Sequence, residues 1–119
     1  ALGTGGTVAG LALGLALCGL ETEVVGVRVA SIVTGNQRHL ELLARRSFHL
    51  LGRQGLVGTR PKLRLRVAHD FVGPGYGHPT AEGRRAAALA REDGIELETT
   101  YTAKGLAALL EEAGEEPGA

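Results

Sequence analysis

The feature that most constrains the fold is an unbroken apolar run, VAGLALGLALCGL, at residues 8–20, directly after a glycine-rich segment. A run of this length without a charged face predicts a helix buried on most sides, which needs a sheet or other helices to cover it. It is shorter than the roughly 20 residues that a membrane-spanning helix requires, and it lacks the flanks of a signal peptide. We therefore expect a soluble, cytoplasmic protein with no membrane partner.

Helical and extended patterns alternate along the rest of the chain. Strands are predicted, from β-branched or alternating residues, over Glu23–Ala30, Leu63–Val67 and Ile95–Tyr101. Helices are predicted, from apolar spacing and end signals, over Asn36–Leu51, from the N-cap Thr80 to Asp93, and over Lys104–Ala113. Ala1 and Leu2 are interpreted as the end of a further strand. The pattern predicts an α/β fold, a three-layer parallel sheet with helices on both faces, over residues 1–114, followed by a polar tail at 115–119.

Charge and composition narrow the classes of partner. Residues 28–66 carry nine basic residues and one acid, and residues 92–119 carry eight acids and one base. A basic segment can mark a nucleic-acid surface, but aromatic residues make up only 3% of the chain and offer no stacking platform. A solvated face is the favoured interpretation, with no nucleic-acid partner. The single cysteine, Cys18, lies in the apolar run and is predicted to be a core residue in a reducing compartment.

The glycine-rich segment, Gly3-Thr4-Gly5-Gly6-Thr7, joins the first strand to the apolar helix. Glycines at such a junction let backbone N–H groups point at an anion, and the start of a helix adds positive potential. The two threonines add hydroxyl donors. The spacing is neither that of a P-loop nor Gly-x-Gly-x-x-Gly. The segment is a candidate phosphate site, and a turn that only packs tightly is the alternative.

The segment VGPGYGHP at residues 72–79 has too many glycines and prolines for a helix or a strand. Irregular backbone of this kind is normally kept where a ligand or another chain approaches. Tyr76 stands between two glycines, so its ring is expected at the mouth of a site. His78 has no partner at metal-ligand spacing, and no metal site is predicted.

Thr100-Tyr101-Thr102 stands where the third predicted strand passes into the last helix. In open α/β sheets, ligands bind outside the carboxyl ends of the strands. Tyr101 and the segment at residues 3–7 both occupy such ends, so the two are expected to meet at one crevice. A capping threonine beside a packed tyrosine is the alternative that the residues leave open.

Three motifs together resemble one known family. GTGGTVAGLALGL followed by EVVGVRVA is similar to the phosphate-loop region of fold-type II pyridoxal 5′-phosphate enzymes. FVGPGYGHPT and TTYTAKGLAAL narrow the resemblance to the D-cysteine desulfhydrase and 1-aminocyclopropane-1-carboxylate deaminase family. The resemblance extends from residue 1 to about residue 110, and it implies part of the larger domain of a tryptophan synthase β-like fold.

This resemblance implies a homodimeric lyase or deaminase that uses pyridoxal 5′-phosphate and acts on a small amino acid. Gly3, Thr4, Gly5, Gly6 and Thr7 would hold the cofactor phosphate through backbone N–H groups and the last hydroxyl. Tyr76 and Tyr101 match the two active-site tyrosines, which orient the substrate; the second also transfers a proton or acts as a nucleophile. Thr102 stands where the deaminases carry a glutamate. A neutral residue there implies a preference for desulfhydration over opening of a cyclopropane ring.

The chain departs from the family pattern at two points. The family's cofactor-binding lysine lies upstream of the phosphate loop, and neither Lys62 nor Lys104 matches it. A Thr-Gly-Gly segment that follows in the family is also missing. The chain contains no methionine, which favours a part of a longer protein. We therefore expect these 119 residues alone to be inactive and to bind the cofactor weakly, if at all. A non-catalytic α/β domain that binds a phosphate-bearing ligand is the alternative.

Overall fold

The computed structural model describes residues 1–56 and 58–114, so Val57 and the predicted polar tail at 115–119 lie outside the described residues. This part of the chain folds into four helices and two strands. In chain order they are α1 (Gly6–Leu17), β1 (Val24–Val27), α2 (Gln37–Arg53), β2 (Leu65–Ala68), α3 (Ala81–Glu92) and α4 (Thr102–Glu112). No helix among the described residues is both long enough and apolar enough to cross a bilayer.

The two strands are parallel, with Val24 opposite Leu65 and Val27 opposite Ala68. Leu2 forms an isolated parallel bridge to Arg28. Its backbone bonds to Val27 and Val29, on the opposite edge of β1 from β2. The interpretation of the first two residues as the end of a further strand is therefore confirmed in part, because Leu2 pairs with the neighbouring strand through this single bridge.

Helices cover both faces of the sheet, as the three-layer prediction requires. On one face, a buried cluster joins the first two helices to the sheet; it contains Leu2, Val8, Ala12, Leu40 and Leu65. On the other face, a second cluster joins the last two helices to it; it contains Val27, Phe71, Ala86, Ala107, Ala108 and Leu110. Residues of β1 and β2 contribute alternately to the two clusters, because successive side chains of a strand point to opposite faces of the sheet.

Local end signals place α3 correctly. The Thr80 hydroxyl accepts a hydrogen bond from the Gly83 N–H at 3.0 Å, which confirms Thr80 as the N-cap. After the helix, Gly94 adopts a positive φ of 75°, and the N–H of Ile95 returns to the Ala90 carbonyl. This closure is the usual end of a helix at glycine.

The predicted strand over Ile95–Tyr101 is wrong. These residues form an irregular segment and a turn, and Ile95 is exposed rather than covered by a sheet. The physical reason is Glu98, whose carboxylate accepts the N–H groups of Thr100 and Tyr101 that a strand would offer to its neighbour. Apolar alternation alone does not reveal this competing use of the backbone.

The prediction that Cys18 lies in the core is also wrong. The buried stripe of α1 contains Val8, Ala9, Ala12 and Leu13, while Leu11 and Leu17 are exposed. Cys18 follows the last helical residue as the C-cap and is exposed. The uniform hydrophobicity of the run hides the fact that the described residues cover only one side of this helix.

Candidate functional site

A cleft of about 670 Å³ lies beside the segments that follow Leu2 and β1. Its lining combines the residue 3–7 loop, Ala30, Ser31 and Thr34 after β1, and the two tyrosines, Tyr76 and Tyr101. The expectation that the loop and Tyr101 open on one crevice is therefore met. Thr102, the remaining candidate, does not line the cleft.

The shape of the loop depends on Gly5. This residue precedes α1 with φ of 97°, a left-handed conformation that side chains disfavour. A Cβ atom here would lie 2.6 Å from Leu40 Cδ2, so α2 packs directly against the backbone. Gly3, in contrast, would place a Cβ atom 3.8 Å from the ring of Tyr101. The glycine at residue 5 thus allows the close approach of α2, whereas the Tyr101 ring would only be in ordinary contact with a side chain at residue 3.

Two side chains hold the carbonyl groups of the loop. The Thr34 hydroxyl donates to the Gly3 carbonyl at 3.1 Å, and Nε2 of His39 lies 3.2 Å from the Thr4 carbonyl. His39 belongs to the basic segment that was interpreted as a solvated face, and for this residue the interpretation is wrong, because it is half-buried against the loop. Among the described residues, the N–H groups of residues 4–7 have no hydrogen-bond acceptor. The loop therefore presents donors with no internal partner at the positive end of α1.

Tyr76 and Tyr101 form a pair across the cleft. Their hydroxyl oxygens are 2.7 Å apart, and their rings meet edge to face with centroids 5.8 Å apart. The hydrogen bond with Tyr76 raises the pKa of Tyr101, and burial and the Glu98 charge act in the same direction. Tyr101 therefore keeps its proton to a higher pH than a free phenol does.

Thr102 belongs to the capping structure at the start of α4. Its hydroxyl accepts from the Glu98 N–H at 3.1 Å and donates to the Glu98 carbonyl at 3.2 Å. The Glu98 carboxylate accepts from the N–H groups of Thr100, Tyr101 and Thr102 at 2.6 Å each. Burial acts to raise the pKa of Glu98, but these hydrogen bonds outweigh it and lower the pKa. The hydroxyl of Thr102 is thus engaged away from the cleft.

Neither lysine of the chain lines the cleft. Lys104 is fully buried in α4, and its Nζ donates to the Val72 carbonyl at 2.9 Å. Lys62 is exposed in the segment before β2 and lines a separate groove with Arg45 and Phe48. Among the described residues, no group of three or more His, Cys, Asp or Glu side chains can hold a metal ion.

Sequence reasoning did not find Thr34, Glu98 or the contact made by His39. Thr34 and His39 reach the loop across 31 and 35 residues of chain, and no local pattern predicts such contacts. Glu98 lies three residues before the N-cap Tyr101, outside the position at which a capping side chain is normally sought. Lys104 did carry a signal, because it is a charged residue among the alanines and the leucine that α4 buries.

Comparison with known proteins gives consistent results. The chain matches the family described as pyridoxal-phosphate dependent enzyme over residues 1–119. It is 34% identical over 112 residues to D-cysteine desulfhydrase of Klebsiella pneumoniae (strain 342), covering 93% of this chain and 32% of that protein. The same enzyme of Serratia proteamaculans (strain 568) is 33% identical with the same coverage. The chain thus spans about a third of the length of these relatives.

A solved structure is also similar. The crystal structure of an ACC deaminase homologue superposes with a TM-score of 0.69 and 28% sequence identity. The superposition covers 97% of this chain and 34% of that one. The α/β fold and the sequence motifs therefore lead to the same group of proteins.

Proposed function

We propose a function for the cleft from the fact that this chain belongs to the pyridoxal-phosphate dependent enzyme family. Residues 3–7 would bind the phosphate of the cofactor, and a small amino acid would bind beside the two tyrosines of the cleft. The observation that carries the proposal is that one cleft brings the loop and the hydroxyl pair of Tyr76 and Tyr101 together. The proposed activity is that of a D-cysteine desulfhydrase-like lyase. We further propose that the chain acts within a longer, homodimeric and cytoplasmic protein.

The residues of the loop fit a phosphate group. The N–H groups of residues 4–7 have no acceptor among the described residues, and the described lining of the cleft contains no carboxylate to repel an anion. The cleft volume of about 670 Å³ is in the range of small-molecule sites. Thr7, in the first turn of α1, adds a hydroxyl donor. The loop would therefore bind the phosphate, and the rest of the cleft would accept the ring.

The tyrosines would handle the substrate and its proton. When bound, the cofactor supplies an electron sink for the substrate carbon beside the amino group. The hydrogen bond with Tyr76 raises the pKa of Tyr101, which disfavours the phenolate. The Tyr101 hydroxyl is therefore proposed to hold and deliver a proton rather than attack as a phenolate. Tyr76, on the glycine-rich loop, would orient the substrate. The pair would also narrow the mouth of the cleft.

By resemblance to the family, in which the deaminases carry a glutamate at this position, Thr102 is proposed to favour desulfhydration over cyclopropane opening. In this structure its hydroxyl is engaged in the α4 cap and does not line the cleft. A carboxylate at this position would favour a positive charge on the cofactor ring, whereas threonine contributes no charge. Loss of sulfide from a β-thiol should need less electron withdrawal than ring opening. The protein that carries this chain should therefore turn over D-cysteine faster than 1-aminocyclopropane-1-carboxylate. Faster turnover of the cyclopropane substrate would contradict this preference.

Binding at the loop can be tested without any reaction. In the protein that carries the chain, we expect pyridoxine 5′-phosphate, which cannot react with lysine, to raise the thermal midpoint, while unphosphorylated pyridoxine does not. The phosphate is the only difference between the two ligands. Equal effects of both, or of neither, would contradict phosphate binding by residues 3–7.

The 119 residues themselves are proposed to be inactive. Covalent capture of the cofactor needs an amine at its aldehyde, and the amine of Lys104 is buried against Val72 while Lys62 lies outside the cleft. Treatment of the chain with pyridoxal 5′-phosphate and borohydride, followed by mass spectrometry, should give no stoichiometric adduct on either lysine. An adduct together with turnover would assign the catalytic lysine to this chain.

A non-catalytic phosphate-binding domain is the second candidate. It shares the loop chemistry but makes no use of the phenol pair. Substitution of Tyr101 by phenylalanine distinguishes the two in the protein that carries the chain. Loss of turnover with retained binding of pyridoxine 5′-phosphate supports the enzyme. The absence of turnover before and after substitution supports the binding domain.

A further inference from the structure

Lys104 is the largest fully buried side chain in the described part of the molecule. Its Nζ donates one hydrogen bond, to the Val72 carbonyl at 2.9 Å. An ammonium group can donate three hydrogen bonds, and removing it from water is costly unless its charge is compensated. Burial lowers the pKa of Lys104, and the charge of Glu98 opposes that change. A long apolar side chain would fill the same space at less cost, so stability alone does not explain a lysine here.

The lysine lies in a tight space between α3 and α4. Gly83 of α3 faces it, and a Cβ atom at that position would lie 3.7 Å from the Lys104 Cγ atom and from its backbone nitrogen. The same Cβ atom would lie 2.9 Å from the capping hydroxyl of Thr80. The small residue lets α3 approach closely. The aliphatic part of the lysine therefore packs against Gly83, and its amine donates to the Val72 carbonyl.

The acceptor of this hydrogen bond lies at the start of the segment that carries Tyr76. Residues 73–79 contain three glycines with positive φ, Gly73, Gly75 and Gly77. The one backbone hydrogen bond between residues of this segment runs from the His78 N–H to the Gly75 carbonyl at 3.2 Å. A segment of this composition has many accessible conformations, so its position depends on where its ends are attached.

The donor lies in the first turn of α4, three residues after Tyr101, which is the N-cap of that helix. Lys104 thus connects the helix that carries Tyr101 to the segment that carries Tyr76. We propose that Lys104 is a positioning residue, which holds the Tyr76 segment against α4 and thereby sets the 2.7 Å contact between the two hydroxyl groups. The catalytic relevance of this role rests on the proposed function, but the positioning itself does not.

The composition of the chain permits a direct test. It contains two tyrosines and no tryptophan, so ring-labelled tyrosine gives only the signals of the pair in a pH titration by NMR. In the unaltered chain, Tyr101 should titrate above its ordinary value because of its bond to Tyr76. Lys104→Met removes the anchor and keeps the volume, and the Tyr101 pKa should fall towards that of a free phenol. Lys62→Met, at the other lysine of the chain, should leave the Tyr101 pKa unchanged.

The direction of the change separates positioning from charge. Loss of a nearby positive charge alone would raise the Tyr101 pKa, because a cation favours the phenolate. Loss of the hydroxyl contact lowers it, since that bond is the largest cause of the elevation. An unchanged or increased pKa in a folded Lys104→Met chain, as checked by circular dichroism, would overturn the proposal.

A second variant covers the case in which Lys104→Met does not fold. Gly73→Ala leaves the lysine in place but puts a Cβ atom against the Thr80 methyl group and strains a backbone with φ of 70°. It should displace the same segment and lower the Tyr101 pKa. An unchanged titration would show that the pair does not depend on this attachment. Binding of pyridoxine 5′-phosphate is measured in parallel in the protein that carries the chain. A titration effect without binding there rejects the proposed function and keeps the positioning role.

Discussion

The starts of α1 and α4 differ in how their free N–H groups are used. Before α1, Gly5 has no side chain to accept them, and the N–H groups of residues 4–7 have no acceptor among the described residues. Before α4, the Glu98 carboxylate accepts three N–H groups at 2.6 Å each. Both ends have the same positive potential. One is available to an external anion, whereas the other already holds an anion from the chain itself.

The difference assigns separate tasks to the two helix ends. The α1 end can bind a phosphate because glycine leaves its donors without a partner. The α4 end cannot, but its internal carboxylate fixes the backbone of Tyr101 and so the position of the phenol. Tyr101 and the loop consequently meet at one cleft without competing for the same ligand.

The largest expected effect on stability comes from adding a side chain to the glycine that precedes α1. Gly5→Ala places a Cβ atom 2.6 Å from Leu40 Cδ2 on a backbone with φ of 97°. The clash and the left-handed conformation together should lower the free energy of unfolding by about 2–4 kcal/mol. Urea denaturation measures the change. Gly10→Ala is the matched control, because no atom lies within 4 Å of its Cβ position, and it should stabilise the chain by about 0.5–1 kcal/mol. Similar values for both would show that the loop is not conformationally restricted.

Removal of the internal anion should have a smaller, pH-dependent effect. Because the folded-state pKa of Glu98 lies below its ordinary value of 4.5, its carboxylate stabilises the fold above that pH. This contribution is lost as the pH falls through the folded-state pKa. Glu98→Gln should cost about 1 kcal/mol at neutral pH and weaken the decline in stability below pH 4.5.

The control for this prediction lies two residues away. Glu96 makes an exposed contact with Arg91 at 3.6 Å, and exposed ion pairs contribute little. Glu96→Gln should therefore leave the acid part of the urea-derived stability profile nearly unchanged. Identical profiles for the two variants would indicate that Glu98 does not cap α4.

Thr102→Val tests the hydroxyl that completes the α4 cap. Valine preserves the shape but loses the hydrogen bonds with the Glu98 N–H and carbonyl. We expect a loss of about 0.5–1 kcal/mol, as for an exposed side-chain hydrogen bond. Thr99→Val, at a neighbouring residue outside this cap, is the comparison in the same urea experiment. A larger loss of unfolding free energy for Thr99→Val than for Thr102→Val would show that the Thr102 hydroxyl does not complete the cap.

The smallest expected effect is the stabilisation of the chain by inorganic phosphate. At a phosphate concentration equal to its dissociation constant, the gain is about 0.4 kcal/mol. The stabilisation by phosphate should persist in the Glu98→Gln chain and disappear in the Gly5→Ala chain, because only the start of α1 has N–H groups available to bind an external anion. Sodium chloride at equal ionic strength is the control. The same protection in both variants would contradict the assignment of the anion site to α1.

Much of the fold could be predicted from local residue patterns, because helix caps and helix ends depend on residues that are neighbours in the sequence. The Thr80 cap is formed within a few residues and is found where the sequence predicts it. The closure at Gly94 is equally local and follows directly after Asp93, the predicted end of the helix. The strand over Ile95–Tyr101 failed because apolar alternation does not report that Glu98 takes the backbone donors. The burial of Cys18 failed because the hydrophobicity of a helix does not say which of its sides is covered.

The candidate site was predictable only in part. Topology and family motifs brought the residue 3–7 loop and Tyr101 to one cleft. The residues that hold them there were not predictable, since Lys104 reaches Val72 across 32 residues and His39 reaches Thr4 across 35. Such contacts depend on the packing of helices against each other. They follow from the fold rather than from any local pattern.

The exposed thiol at the end of α1 has a practical consequence. Cys18 is the only cysteine in the 119 residues, and it lies at the far end of a 12-residue helix from the glycine loop. A helix of that length spans about 18 Å. A maleimide dye on this thiol would therefore report on the cleft by resonance energy transfer to a fluorescent ligand, without occupying the cleft. No cysteine has to be added or removed to obtain this single-site label.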